Sequence, residues 1–230
     1  MRRDLGPYPL WLRLWHWSNL LLFVMLLITG FSMHFSRVGP PPVAFRTDVL
    51  IHNTAGILLT LLYCLFLFGN LRFGNARYYI ITADDIVPGM FLQVGYYLWG
   101  IFVRSPHPYP HDPHNEERKF NPMQKMSYLT VMFLLFPILI VTGWALLFPY
   151  LLPNETFGLP GVASWALIHT CTGYFLFVFM IVHTYLGTTG KTPGELFRFM
   201  WSGVGSEPAS TLRTPDSEER AGSQVVARKQ

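Results

Sequence analysis

Four long apolar runs divide the chain, at about 15–35, 49–69, 127–148 and 163–187. Each is close to the roughly 20 residues that a helix needs to cross the ~30 Å hydrocarbon layer of a bilayer. Gly39, Pro40, Pro41 and Pro42 punctuate the first gap, and Pro149, Pro153 and Pro160 the last. The pattern predicts an all-α membrane protein, a four-transmembrane-helix bundle within residues 1–203. Beyond Trp201 the chain turns polar, and residues 204–230 read as a disordered cytoplasmic tail.

The stretch Ile86 to Val103 is apolar enough to suggest a fifth span. Charge argues against it. With four spans, 15 lysines and arginines fall on the N-terminal side and only 2, Arg37 and Arg46, on the other. With five, the split is 12 against 5. The positive-inside rule favours the first arrangement, with both termini cytoplasmic. Pro88 and Gly89 also weaken a spanning helix, so 84–103 reads as an amphipathic helix lying at the cytoplasmic surface.

Composition agrees with this picture. The chain is 51% hydrophobic and only 13% charged, which suits lipid, and no nucleic-acid partner is expected. Cys64 and Cys171 lie in apolar runs without ligand spacing, so they read as small core residues, and an iron–sulfur cluster or structural zinc is not expected. The N-terminal apolar run is too long for a cleaved signal.

Ionisable residues inside spans are expensive and suggest function. His169 and His183 stand on the fourth run, 14 residues apart, on nearly one helix face and roughly 21 Å apart along the axis. His16 opens the first run and His52 the second. In the four-span topology the depths match in two pairs, His16 with His183 near the inner face and His52 with His169 near the outer face. Five spans would pair His16 with His169 and His52 with His183. Neutral imidazole is a common axial ligand of haem iron, so two stacked pairs suggest two bis-histidine haems. The plainer reading is that each histidine makes a helix–helix hydrogen bond.

Glycine follows three of these histidines four residues on, at Gly56, Gly173 and Gly187, on the same helix face. Such a glycine leaves room for a flat macrocycle, or simply lets helices pack closely. Gly30 lies 14 residues beyond His16 and leaves room near the outer pair. His34 has no partner at its depth. His107, His111 and His114 alternate with prolines and read as solvated loop residues.

Several motifs resemble a known family. They are Arg13-Leu14-Trp15-His16-Trp17, Thr29-Gly30, Gly69-Asn70, Phe120-Asn121-Pro122-Met123-Gln124-Lys125, Thr142-Gly143-Trp144, and the run from His183 through Gly187 to Gly190. They are similar to the di-haem cytochrome b membrane subunits of bacterial formate dehydrogenases, nickel–iron hydrogenases and thiosulfate reductases. The thiosulfate (or polysulfide) reductase type is the most similar. The resemblance covers about 8–203.

It implies a di-haem b electron-transfer subunit of the bacterial inner membrane, with His16, His52, His169 and His183 as iron ligands. It implies a cytoplasmic-side site for a diffusible quinone, menaquinone or ubiquinone, walled by Asn121, Gln124 and Lys125. Asn121-Pro122 equally reads as a helix start. Arg13 and Lys125 would offset haem propionates, or act as interfacial anchors. It further implies an extracytoplasmic electron-transfer or catalytic partner subunit, of iron–sulfur, multihaem or molybdenum type, docked near Arg37 and Arg46. Alternatives are a hydrogenase or formate dehydrogenase cytochrome b and, from another class, a haem-free membrane anchor. A proton-relay transporter is disfavoured by the lack of Asp or Glu in the four runs and of a visible inverted repeat.

Overall fold

The structure, a computed structural model, describes residues 8–36, 44–83, 85–109, 120–189 and 192–203. The loop prolines Pro40–Pro42, Arg37, His111, His114 and the tail 204–230 lie outside the described residues. Four helices are long and apolar enough to cross a membrane: α1 Leu10–His34, α2 Phe45–Arg72, α4 Pro122–Leu147 and α5 Gly161–Gly187. Among the described residues two short α-helices stand apart from these, α3 Met90–Gly95 and α6 Glu195–Ser202.

The long helices pack chiefly as two sequential hairpins, α1 on α2 and α4 on α5. Phe23, Leu59, Phe66, Phe136 and Leu176 join them in one buried cluster. Gly69 makes the α1–α2 approach possible, because a Cβ there would stand 2.7 Å from the Trp11 ring. Trp15 stacks on Phe66 with ring centres 4.4 Å apart and donates its indole N–H to the Leu62 carbonyl. Outward positions such as Leu21, Leu65 and Phe175 are apolar and more than 60% exposed, as a lipid-facing surface requires.

The third span starts at Pro122, earlier than the apolar run suggests, because Asn121 builds a capping box. Its side chain accepts from the Gln124 N–H at 2.8 Å, and Gln124 Oε1 accepts from the Asn121 N–H at 3.0 Å. A widened turn at Val131–Leu135 interrupts α4 just before Pro137, which has no N–H. Tyr63 donates its hydroxyl to the Met132 carbonyl there, at 2.7 Å.

Several expectations need correction. The helix expected over 84–103 begins only at Met90, because Val87 is extended (φ −139°, ψ 115°) ahead of Pro88. Phe91, Leu98 and Trp99 face outward while Gln93 is fully buried, so its apolar side is turned away from the protein. Cys64 and Cys171 are exposed, not core. Within the all-α bundle, β1 (Glu155–Thr156) and β2 (Leu159–Pro160) form a small antiparallel hairpin before α5. Gly161 is obligatory there, since a Cβ would overlap the Pro153 carbonyl. The helix α6 was not anticipated, although Gly194 and Gly203 bracket it with left-handed backbones.

Candidate functional site

The four span histidines come together as two pairs. His16 and His183 come together with ring centres 6.2 Å apart and planes at 53°. His52 and His169 do so at 6.3 Å and 69°. These are the pairings of the four-span topology, not those of the five-span one. Each of the four is partly buried. Among the described residues no hydrogen bond joins the rings within a pair.

The His52–His169 pair is built the same way on both sides. Thr29 Oγ1 on α1 lies 2.9 Å from His52 Nδ1, and Thr142 Oγ1 on α4 lies 2.9 Å from His169 Nδ1. Thr29 spends its one proton on the Met25 carbonyl at 2.8 Å, and Thr142 spends its own on the Ile138 carbonyl at 2.7 Å. Each hydroxyl therefore accepts from the ring, which fixes the Nδ1–H tautomer and leaves the lone pair on Nε2. The next residue is glycine both times. A Cβ on Gly30 would stand 3.4 Å from His52 Cε1, and one on Gly143 3.3 Å from His169 Cε1. This repeated Thr-Gly support was not anticipated from the sequence.

Beside this pair opens a cavity of about 310 Å³, lined by His52, His169, Gly30, Gly56, Gly143 and Gly173 among others. A Cβ added at Gly56 or at Gly173 would meet nothing within 4 Å. These two glycines therefore border open space and do not serve helix contact.

The His16–His183 pair is supported differently. His183 stacks on Phe179 (5.6 Å) and meets Tyr128 edge-on (6.1 Å), and His16 meets Trp17 edge-on (5.2 Å). Nδ1 of His16 is buried without a hydrogen-bond partner among the described residues.

Other anticipated site residues take local partners. Gly187 faces Phe197, whose ring lies 3.0 Å from where a Cβ would stand, so it makes room for the segment around α6. Arg13 donates to the Trp201 carbonyl at 2.6 Å, and Trp17 donates to the Met200 carbonyl at 3.3 Å. Together they cap the C-terminal end of α6, where a cation is favoured. Asn121 and Gln124 are occupied in the capping box, and Lys125 is 2.8 Å from Asp85. His107 is not simply solvated: its Nδ1 accepts from the Tyr109 N–H at 3.0 Å, and the Gln93 amide lies 3.3 Å from its Nε2. Burial lowers its pKa. His34 is exposed and borders the cavity beside His52 and His169. Arg46 is exposed.

Residues 7–203 match the prokaryotic cytochrome b561 family, which takes in all four long helices and both histidine pairs. The chain belongs to that family. A relative from Escherichia coli (strain K12), named "Putative cytochrome YdhU", is 38% identical over 192 residues, which is 83% of this chain and 70% of the relative. This cytochrome b561-family chain is thus a multi-pass membrane protein of a haem b electron-transfer family. The match reaches the family as a whole and names no partner enzyme.

The histidine pairs of this cytochrome fit haem. A metal–imidazole bond is about 2 Å and a ring centre lies about 1.1 Å behind its nitrogen, so two imidazoles on opposite sides of one metal have centres roughly 6.2 Å apart. Both pairs stand at that separation. At the His52–His169 pair, the open space beside Gly56 and Gly173 adds room for a flat ring.

Proposed function

We propose that the chain is a di-haem b cytochrome that links a partner at the outer membrane face to the quinone pool at the inner face. The supporting observation is the ring-centre separation within both pairs, 6.2 Å at one end of the bundle and 6.3 Å at the other, which suits two imidazoles sharing one metal. His16 with His183 and His52 with His169 would each hold one haem iron, which when bound supplies one-electron exchange.

The chain's own residues then have defined tasks. Thr29 and Thr142 orient the outer imidazoles, and Gly56 and Gly173 keep space open beside them. On α5, 14 residues separate the two ligands, roughly 21 Å along the axis, so the pairs serve opposite faces of the bilayer. The excess of lysine and arginine on the N-terminal side supports cytoplasmic termini, which would put His16 with His183 on the inner side.

Quinone reduction consumes two electrons and two protons, so its site belongs where water reaches the inner pair. Tyr128 beside His183, at the start of α4 with Asn121, Gln124 and Lys125, is the polar edge that suits it. The resemblance of the Phe120–Lys125 and His183–Gly190 stretches favours a sulfur-compound reductase as the partner enzyme, docking near Arg46.

The test is the haem-to-protein ratio of the purified chain by pyridine haemochrome, with single His→Ala variants. Two haems in the parent and one in each variant are expected. None, in a folded sample grown with ample haem, would overturn the reading and leave a structural anchor.

A further inference from the structure

We propose that Thr29 and Thr142 are matched positioning residues that lower the reduction potential of the iron held between His52 and His169. The inference rests on the ligand assignment above. It starts from a chain of hydrogen bonds present twice. In each, a backbone carbonyl accepts from a threonine hydroxyl, and that hydroxyl accepts from an imidazole Nδ1–H: Met25, Thr29 and His52 on one side, Ile138, Thr142 and His169 on the other. The imidazole contacts are 2.9 Å on both sides.

Hydrogen-bonded chains polarise one another. A hydroxyl that has already given its proton to a carbonyl is a better acceptor, and drawing the Nδ1 proton outward puts electron density on Nε2. A more basic imidazole stabilises ferric over ferrous iron, and hydrogen bonding behind the ligand is an established lever on metal potential. Two equivalent threonines act on the same iron from opposite sides.

The inner pair lacks this device. Among the described residues, neither His16 nor His183 makes a side-chain hydrogen bond, and the groups around them are aromatic rings. Charge acts in the same sense. Asp48, buried and held by Ser32 at 2.5 Å, is the sole acidic residue among the described positions of the four spans, and it lies one helical turn before His52. The two sites therefore differ by construction, and the outer one holds oxidised iron more firmly.

The experiment is a potentiometric titration of the purified full-length chain, followed in the haem absorption bands. The parent is expected to show two midpoints. T29V and T142V should each raise the lower midpoint by a similar amount, leave the upper one in place and retain both haems. The double variant should sum the two shifts, and T29S and T142S should restore the parent value.

Unchanged midpoints in both valine variants, or a shift confined to the upper midpoint, would overturn the proposal. If a valine variant does not assemble, pulsed electron–nuclear resonance on the oxidised parent reads the same feature. Two classes of remote-nitrogen proton are expected, one hydrogen-bonded and one not, and a single class refutes it. H52A separates the two levels of inference. Keeping both haems in H52A overturns the ligand assignment and the proposal with it. Losing the lower-potential haem in H52A, with parent potentials in the valine variants, overturns the proposal alone.

Discussion

Gly173 stands one helical turn beyond His169, and a Cβ built on it would meet no other atom within 4 Å. A glycine selected for close helix packing has neighbours at contact distance, as Gly69 does with Trp11 at 2.7 Å. Gly173 and Gly56 have none, and both border the cavity beside His52 and His169. The open space is what a side chain would take from a bound macrocycle.

Filling that space should therefore cost haem and not fold. G56L and G173L are expected to lose one haem of two while the haem-free chain keeps its thermal stability. G69L, in contrast, must displace Trp11 and should destabilise the bundle, since overpacking costs about 1–3 kcal/mol. Haem stoichiometry and thermal unfolding in detergent, measured side by side, check both halves. Equal unfolding of all three variants would return Gly56 and Gly173 to a packing role.

Single losses should sort by pair. H16A and H183A are expected to remove the same haem, and H52A and H169A the other. Double variants within a pair then look like either single, while doubles across the pairs lose both haems. Redox difference spectra of the six doubles check the pairing. A loss in H16A that matches H169A instead would favour the five-span topology.

The spans and the pairing were legible because both follow from one-dimensional patterns. Apolar run length predicts the helices, and alternation of direction converts sequence position into depth. What lay outside that reasoning depends on rotation about helix axes. Thr29 and His52 are 23 residues apart and Thr142 and His169 are 27 apart, so nothing local ties them. A signal was nonetheless present. Thr-Gly in one span followed by His-x-x-x-Gly in the next occurs twice, at Thr29-Gly30 with His52 and Gly56, and at Thr142-Gly143 with His169 and Gly173. That is a parallel repeat of helical hairpins, and a search for an inverted repeat passes over it. The contacts of Arg13 and Gly187 were out of reach for another reason: their partners belong to α6 and the segment just around it, a helix too short to stand out from the polar end of the chain.

Arg13 offers a direct contest between two roles. Its guanidinium donates to the Trp201 carbonyl at 2.6 Å, and a Cβ on Gly203 would stand 2.8 Å from Arg13 Cζ. R13M should loosen the end of α6 by about 1 kcal/mol, given the usual worth of a charged hydrogen bond near the surface. Amide exchange of residues 199–203 is expected to speed up with both haem midpoints unmoved. A propionate role predicts the reverse, a shifted midpoint and unchanged exchange.

Asp85 gives the clearest pH dependence. Burial raises its pKa, but Lys125 at 2.8 Å and the N–H and hydroxyl of Thr82, both at 2.9 Å, outweigh that and hold the carboxyl below its ordinary 3.8. A carboxyl depressed on folding adds stability that is fully present above its unfolded pKa and is lost as pH falls through the folded value. D85N should therefore be less stable than the parent near pH 7, by about 1–2 kcal/mol, because Lys125 loses its charged partner. The gap should hold through the neutral range and close as pH is taken well below 3.8. Since this ion pair ties the start of the 85–100 segment to the start of α4, the loss should appear first as faster exchange at residues 85–93. Stability of the two chains measured from pH 8 down to the acid limit checks the sign. A gap that widened in acid would mean that Asp85 is held protonated and that Lys125 is free to serve the inner site.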